Sequence, residues 1–371
     1  MEHLYLPGGA QCPWNTADLT PLSGHLERRP EDFIVDEIPA YLPSGEGSHW
    51  YVKLRKRDLT SERARDILAR ASGVKSRDVG MAGRKDRHGI TTQWMSLPKE
   101  PVDPEDDRLE IVEVSRHRNK LKTGHVKGNT FRIRLRGGAE DVEARLPALL
   151  ARVKMGVPNY FGAQRFGREP PQSMADLTPP LMSPRFKGRR NPTREVRFVA
   201  SVVQSVVFNR WLGDRMVDGL LHTVLAGDVC QKRATGGVFQ SEDAAVDQGR
   251  MDAGELDIMG PMIGPKTFRA AGEALAREGR AAEAVGMTDE ILAALKPLAP
   301  GTRRVACLRP EGLSASVEGA DLWLSFTLPS GAYATTILGA LTHQSGDLRV
   351  DVRPSEEGPR EGDFVRPSKD D

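Results

Sequence analysis

Apolar residues alternate every second position near both ends of the chain and recur at helical spacing through its middle. This contrast limits the fold more than any other feature. Trp50, Val52 and Leu54 alternate with Tyr51, Lys53 and Arg55, the signature of a half-buried strand. Phe131, Ile133 and Leu135 alternate with Arg132, Arg134 and Arg136, and Leu322, Leu324, Phe326 and Leu328 repeat the pattern late in the chain. Short strands are expected at Val79–Ala82 and Thr91–Leu97. Helices are expected from Thr60 to Gly73 and from Glu140 to Lys154, the first capped by Thr60 and the second stopped by Gly156. The middle reads as helices over Glu195–Leu212, Met216–Leu225 and Ala270–Leu298, after a long loop from Pro170 to Pro192. Gly236–Lys266 shows no clear period. After the turn Pro329-Ser330-Gly331, Tyr333–Leu341 reads as a helix. The pattern predicts an α+β (mixed α/β) protein in which one domain, built from both ends, is interrupted by a mainly helical insertion.

Composition narrows the class. With 371 residues the chain has room for more than one domain, and 39% hydrophobic residues are enough to build cores. Three scattered cysteines, Cys12, Cys230 and Cys307, make no disulfide framework or metal motif and point to a reduced, cytoplasmic setting. No secretory signal or membrane-spanning run is legible. The tail from Pro354 is charged and rich in Pro and Gly, so disorder is expected there. A net charge of +2 leaves the partner open. Phosphate-loop, HExxH, GxSxG and dinucleotide signatures are all missing, and no histidines pair at metal-ligand spacing.

Three segments carry possible chemistry. Gly83-Arg84-Lys85-Asp86-Arg87-His88-Gly89 sets one acid among three cations and a histidine, between glycines that permit sharp backbone turns. On its own it reads more readily as a charged hairpin tip than as a carboxylate held ionised next to a phosphate backbone, and charge spacing alone does not decide between them. Asn159-Tyr160-Phe161-Gly162-Ala163-Gln164-Arg165-Phe166-Gly167 places aromatics beside amides and an Arg, as in proteins that stack unpaired bases. The alternative is a turn whose rings pack inward. Arg185-Phe186-Lys187-Gly188-Arg189-Arg190 and the basic face of Arg132, Arg134 and Arg136 would suit RNA phosphates, or be solvated charge.

Taken in order, these segments resemble the tRNA pseudouridine synthase D (TruD) family. The resemblance is carried by Pro30-Glu31-Asp32-Phe33-Ile34-Val35-Asp36-Glu37, the Lys85-Asp86 loop with Thr91-Thr92-Gln93-Trp94, and Gly128-Asn129-Thr130-Phe131. It continues through Asn159–Gly162 with Gln164–Gly167, and through Leu328–Thr335. It implies a pseudouridine-synthase catalytic core with a mixed, largely antiparallel sheet over residues 1–155 and 303–353. It further implies a TruD-type insertion over 156–302 and no metal, nucleotide or other cofactor, while composition leaves residues 354–371 as the expected disordered tail. Asp86 takes the position of the family's catalytic aspartate. Phe33, Lys85, Asn129 and Phe131 fall where the family's active site is lined, with Arg84, Arg87, Gln164 and Arg165 as further substrate contacts. Tyr333 stands where the family has phenylalanine.

The activity implied is isomerisation of uridine to pseudouridine in tRNA, at position 13 in the bacterial branch, by a cytoplasmic monomer. The reaction neither gains nor loses atoms, so a single carboxylate acting as nucleophile or base suffices. Two other classes compete. A non-catalytic RNA-binding protein would not require the acid inside a basic loop. A phosphodiester-cleaving enzyme would want paired carboxylates for a metal, or two histidines, and neither spacing occurs.

Overall fold

In the computed structural model, residues 12–27, 29–162, 165–166, 173–182 and 193–344 are described. The alternating segments at the two ends join one sheet. Its strands are β1 (Phe33–Pro39), β2 (His49–Arg57), β3 (Gly80–Met81), β4 (Ile90–Leu97), β5 (Leu109–His117) and β6 (Val126–Leu135). Two more, β13 (Glu311–Glu318) and β14 (Asp321–Pro329), come from the far end of the chain. Their order is β13-β14-β6-β1-β4-β2-β5, with β3 paired to β4 off this path. Only β1 and β4 run parallel, so the sheet is mixed and largely antiparallel.

Helix α1 (Ser61–Ala71) covers β2 and β4, where Ala64 and Leu68 pack with Val52, Leu54, Met95 and Leu97. Thr60 caps it by accepting a hydrogen bond from the Arg63 N–H at 3.1 Å, as its sequence position predicts. Helix α2 (Val142–Met155) and the last helix, α8 (Ala334–Thr342), pack together, and Leu149, Val153, Ile337 and Leu341 are fully buried.

Between these halves the chain forms β7 (Val157–Pro158), paired with β12 (Cys307–Leu308), and a four-stranded sheet. That sheet consists of β8 (Val229–Lys232), β9 (Val238–Gln240), β10 (Leu256–Met262) and β11 (Thr302–Val305), in the order β11-β10-β8-β9. Helices α3 (Met174–Met182), α4 (Arg194–Val217), α5 (Ala244–Asp252), α6 (Gly272–Ala284) and α7 (Asp289–Leu295) complete it. The Trp211 ring of α4 lies so close to Gly260 of β10 that an added Cβ would sit 2.3 Å from it. Glycine is what lets helix and sheet meet there.

Several expectations change. The stretch expected as one loop from Pro170 contains α3; the basic segment Arg185–Arg190 lies outside the described residues, as does the tail from Pro354. No second helix forms over Met216–Leu225. Arg215 is fully buried and donates to the carbonyls of Leu220 and Thr223 and to Asp228, so the chain wraps around its guanidinium instead. Ala270–Leu298 is two helices, parted near Gly286 at φ +80°. The basic face of β6 is not an open strip. Arg136 grips buried Asp32 with two bonds (2.7 and 2.9 Å), Arg134 bonds Asp321 at 2.8 Å, and Arg132 lies over the Trp323 ring. Asp32, in the turn before β1, and Asp321 of β14 supply carboxylates that sequence neighbours could not reveal. Among the described residues no helix is long and apolar enough to cross a membrane.

Candidate active site

The loop between β3 and β4 carries Asp86, and its backbone is held by side chains from three separate elements. Ser61, the first residue of α1, accepts the Lys85 N–H at 2.8 Å and donates to Gln93 of β4 at 2.7 Å. Lys56 of β2 donates its ammonium to the Asp86 carbonyl at 2.5 Å. Gln93 donates its amide N–H to the Gly83 carbonyl at 3.4 Å, and the β5–β6 loop adds a fourth tie, from the Gly124 N–H to the Ala82 carbonyl at 2.8 Å. Gly89 closes the loop at φ +140°, where a Cβ would lie 2.5 Å from the Phe33 carbonyl oxygen. At Gly83 neither φ nor space demands glycine. A rigid backbone therefore presents an exposed Asp86 side chain.

That side chain borders a cavity of about 740 Å³. Phe33, Arg84, Lys85, Asp86, Arg87, Asn129, Phe131 and Tyr333 all line it. They come from β1, the loop, β6 and the residue that precedes α8. β6 lies between β1 and β14, so pairing Phe131 with Val35 and Phe326 brings the distant motifs together. Phe33 and Phe131 meet edge to face at 6.2 Å, and Phe131 stacks on Phe326 at 5.5 Å. The cavity has an aromatic floor and a charged rim.

The cations around Asp86 divide into two groups. Arg84 is exposed and paired with Glu62 at 2.6 Å, and His88 is exposed and paired with Asp58 at 2.9 Å. Arg87 is exposed and has no ion-pair partner among the described residues. Lys85 turns inward: its ammonium lies 2.8 Å from Glu37 and donates to Asn129 Oδ1 at 2.7 Å. Lys85 therefore engages Glu37 and Asn129, not the Asp86 carboxylate as its sequence position suggests.

Two residues here escaped sequence reasoning. Lys56 is 1% exposed, and burial pushes its ammonium down to about 8 against the opposing pull of Asp86 and Asp58. Its signal was parity: Lys56 continues the inward face of Val52 and Leu54. Glu37 is buried, accepts the Trp94 N–H at 3.0 Å, and offers its other oxygen to Lys85. It lay inside the Pro30–Glu37 segment that carries the family resemblance, but was given no role of its own there.

The aromatics of the Asn159–Gly167 segment pack inward. Tyr160, Phe161 and Phe166 are all buried, Tyr160 edge-on to Trp14 and Phe161 edge-on to Phe208. Arg304 lies 4.1 Å over the Phe161 ring and donates to Asn159 Oδ1 at 2.5 Å; burial lowers its guanidinium to about 10. Arg165 donates to Ser205 and does not line the cavity. Gln164 lies outside the described residues. Among those residues no group of three or more His, Cys, Asp or Glu could hold a metal ion.

The family model for tRNA pseudouridine synthase D (TruD) matches residues 11–175 and 193–340. The chain belongs to the TruD family. The matched spans include every strand and loop that lines the cavity. A tRNA pseudouridine synthase D from Anaeromyxobacter sp. (strain Fw109-5) is 44% identical over 343 residues, 91% of this chain and 97% of that protein. One from Thermus thermophilus is 36% identical over 358 residues, 93% of this chain and 96% of its own. The TruD fold is shared with a solved structure from Methanosarcina mazei titled as a tRNA pseudouridine synthase D, at TM-score 0.72 and 23% identity. That likeness covers 89% of this chain and 96% of the other.

Proposed function

We propose that this TruD family member isomerises uridine to pseudouridine at position 13 of tRNA, with Asp86 as the reacting carboxylate. What carries the reading is that Asp86 borders the cavity on a loop pinned from α1, β2, β4 and the β5–β6 loop, facing Phe33, Asn129, Phe131 and Tyr333. A target uridine leaves its stack and enters the cavity, where aromatic faces hold the base. Asp86 then assists cleavage of the N1–C1′ bond, as nucleophile at the sugar or as base. The base turns, C5 bonds to C1′, and the C5 proton is lost as N1 gains one. Pinning the loop before substrate arrives spares the reaction the ordering of its carboxylate.

We read the eight-stranded sheet as the catalytic unit and residues 156–302 as an insertion that helps grip the RNA. Arg87, exposed on the rim and free of an acidic partner among the described residues, is suited to a phosphate near the target. Asp86→Asn is expected to abolish pseudouridine formation in tRNA transcripts while changing RNA affinity by less than about threefold. Full activity in that variant would remove Asp86 from the chemistry.

A further inference from the structure

Asn129 faces the cavity with its amide already committed on one side. Lys85 Nζ lies 2.7 Å from Asn129 Oδ1. An ammonium has donors and no acceptor, so only the amide oxygen can face it; the NH2 group must point the other way. Lys85 is itself fixed: its side chain is 6% exposed, and its ammonium lies 2.8 Å from Glu37 Oε2, whose carboxylate is fully buried. Glu37 is held in turn through Oε1 by the Trp94 N–H at 3.0 Å. Glu37 and Asn129 stand directly opposite each other in the β1–β6 pairing, and Lys85 comes from the loop to join them. Three elements thus converge to set the orientation of one side-chain amide.

We infer that Glu37 and Lys85 act as positioning residues that lock Asn129 as a hydrogen-bond donor to a carbonyl oxygen of the target uracil. This inference rests on the functional reading above and deepens it. The amide NH2 is the part of this chain left to satisfy, and Asn129 and Lys85 both line the cavity. Uracil offers carbonyl acceptors at C2 and C4, whereas an amide free to rotate would accept an amino group as readily. A buried ion pair is a demanding way to orient a neutral side chain. Its return is that the wrong orientation would set two sets of donors against each other.

The informative variant is Asn129→Asp. It keeps the shape and gives Lys85 a partner, so the fold is retained by thermal melting, but it replaces the donor with an oxygen that repels a carbonyl. Single-turnover conversion of a tRNA transcript is expected to slow by about 100-fold or more, as for a site left with an unpaired polar group. Lys85→Met together with Glu37→Leu removes the lock without leaving a buried charge. In that background Asn129→Ala is expected to slow conversion less than about threefold further, against about 100-fold in the wild type. Near-normal conversion by Asn129→Asp, or effects that simply multiply, overturns the inference.

A second readout needs no turnover. In the Asp86→Asn background, transcripts with 2-thiouridine or 4-thiouridine at the target are compared with uridine for affinity, sulfur being the weaker acceptor. One substitution is expected to weaken binding severalfold, and that sensitivity is expected to vanish with Asn129→Ala. No such sensitivity at either position overturns the inference. A wild type that binds the transcript with this sensitivity yet makes no pseudouridine overturns the functional reading alone.

Discussion

The cations around Asp86 fall into an inner and an outer group, and the two have little in common beyond charge. Lys56 is buried and the Lys85 side chain is 6% exposed, and both are spent on the protein: one hydrogen-bonds the Asp86 carbonyl, the other hydrogen-bonds Asn129 and ion-pairs with Glu37. Arg84, Arg87 and His88 are exposed on the rim, where Glu62 and Asp58 occupy two of them. A charge in water can meet a phosphate at modest strength and is screened by salt. A charge out of water is strong, costly and directional, which suits the fixing of geometry. The basic loop is therefore two devices, an interior frame and an exterior contact surface.

The sharpest way to break this division is Lys85→Met. It leaves the Glu37 carboxylate buried without a counter-charge, so stability is expected to fall by about 3–5 kcal/mol in denaturant titration. Conversion by the remaining folded protein is expected to fall at least about 100-fold as Asn129 loses its orientation. An ordinary stability would mean that Glu37 finds another partner.

Lys56→Met is expected to do the opposite to stability. Its folded-state pKa, about 8, lies below the ordinary 10.5. Between those values the unfolded chain binds more protons than the folded one, so stability contributed by this group rises as pH climbs from about 8 to about 10.5. Below pH 8 the burial penalty is fully present, and the variant should be more stable than the wild type by ~1–3 kcal/mol. That advantage should shrink as pH approaches 10.5. Its conversion rate should fall about tenfold, because the Asp86 carbonyl loses its anchor. Melting curves from about pH 7 to 10 alongside single-turnover assays test both halves; a variant both less stable and fully active would contradict them.

The smallest effect belongs to the rim. Arg87→Ala should weaken tRNA affinity severalfold and lower the salt slope by about one, with the chemical step unchanged. A large loss in the single-turnover rate would move Arg87 into the inner group.

Sequence patterns gave the strands and helices whose burial follows a period, including the cap at Thr60 and the way both ends of the chain share one sheet. The resemblance to the TruD family, not periodicity, grouped Phe33, Asn129, Phe131 and Tyr333 with Asp86, and all five border one cavity. Sequence patterns failed where charge is buried. Lys56, Glu37 and Arg215 sit on inward positions that periodicity reserves for apolar residues, and their partners lie outside the strand or helix that carries each of them. The same blindness made β6 look like an RNA-binding strip, because Asp32 and Asp321 approach Arg136 and Arg134 only once the sheet has formed. The rings at Tyr160 and Phe161 misled for a related reason: composition suited base stacking, but their neighbours Trp14 and Phe208 come from other parts of the chain.

The most direct test is to incubate unmodified tRNA transcripts with the wild type and with Asp86→Asn, then map pseudouridine at single-nucleotide resolution. Conversion at position 13 by the wild type alone is the predicted result. No conversion by the wild type, or equal conversion by both, would contradict the account.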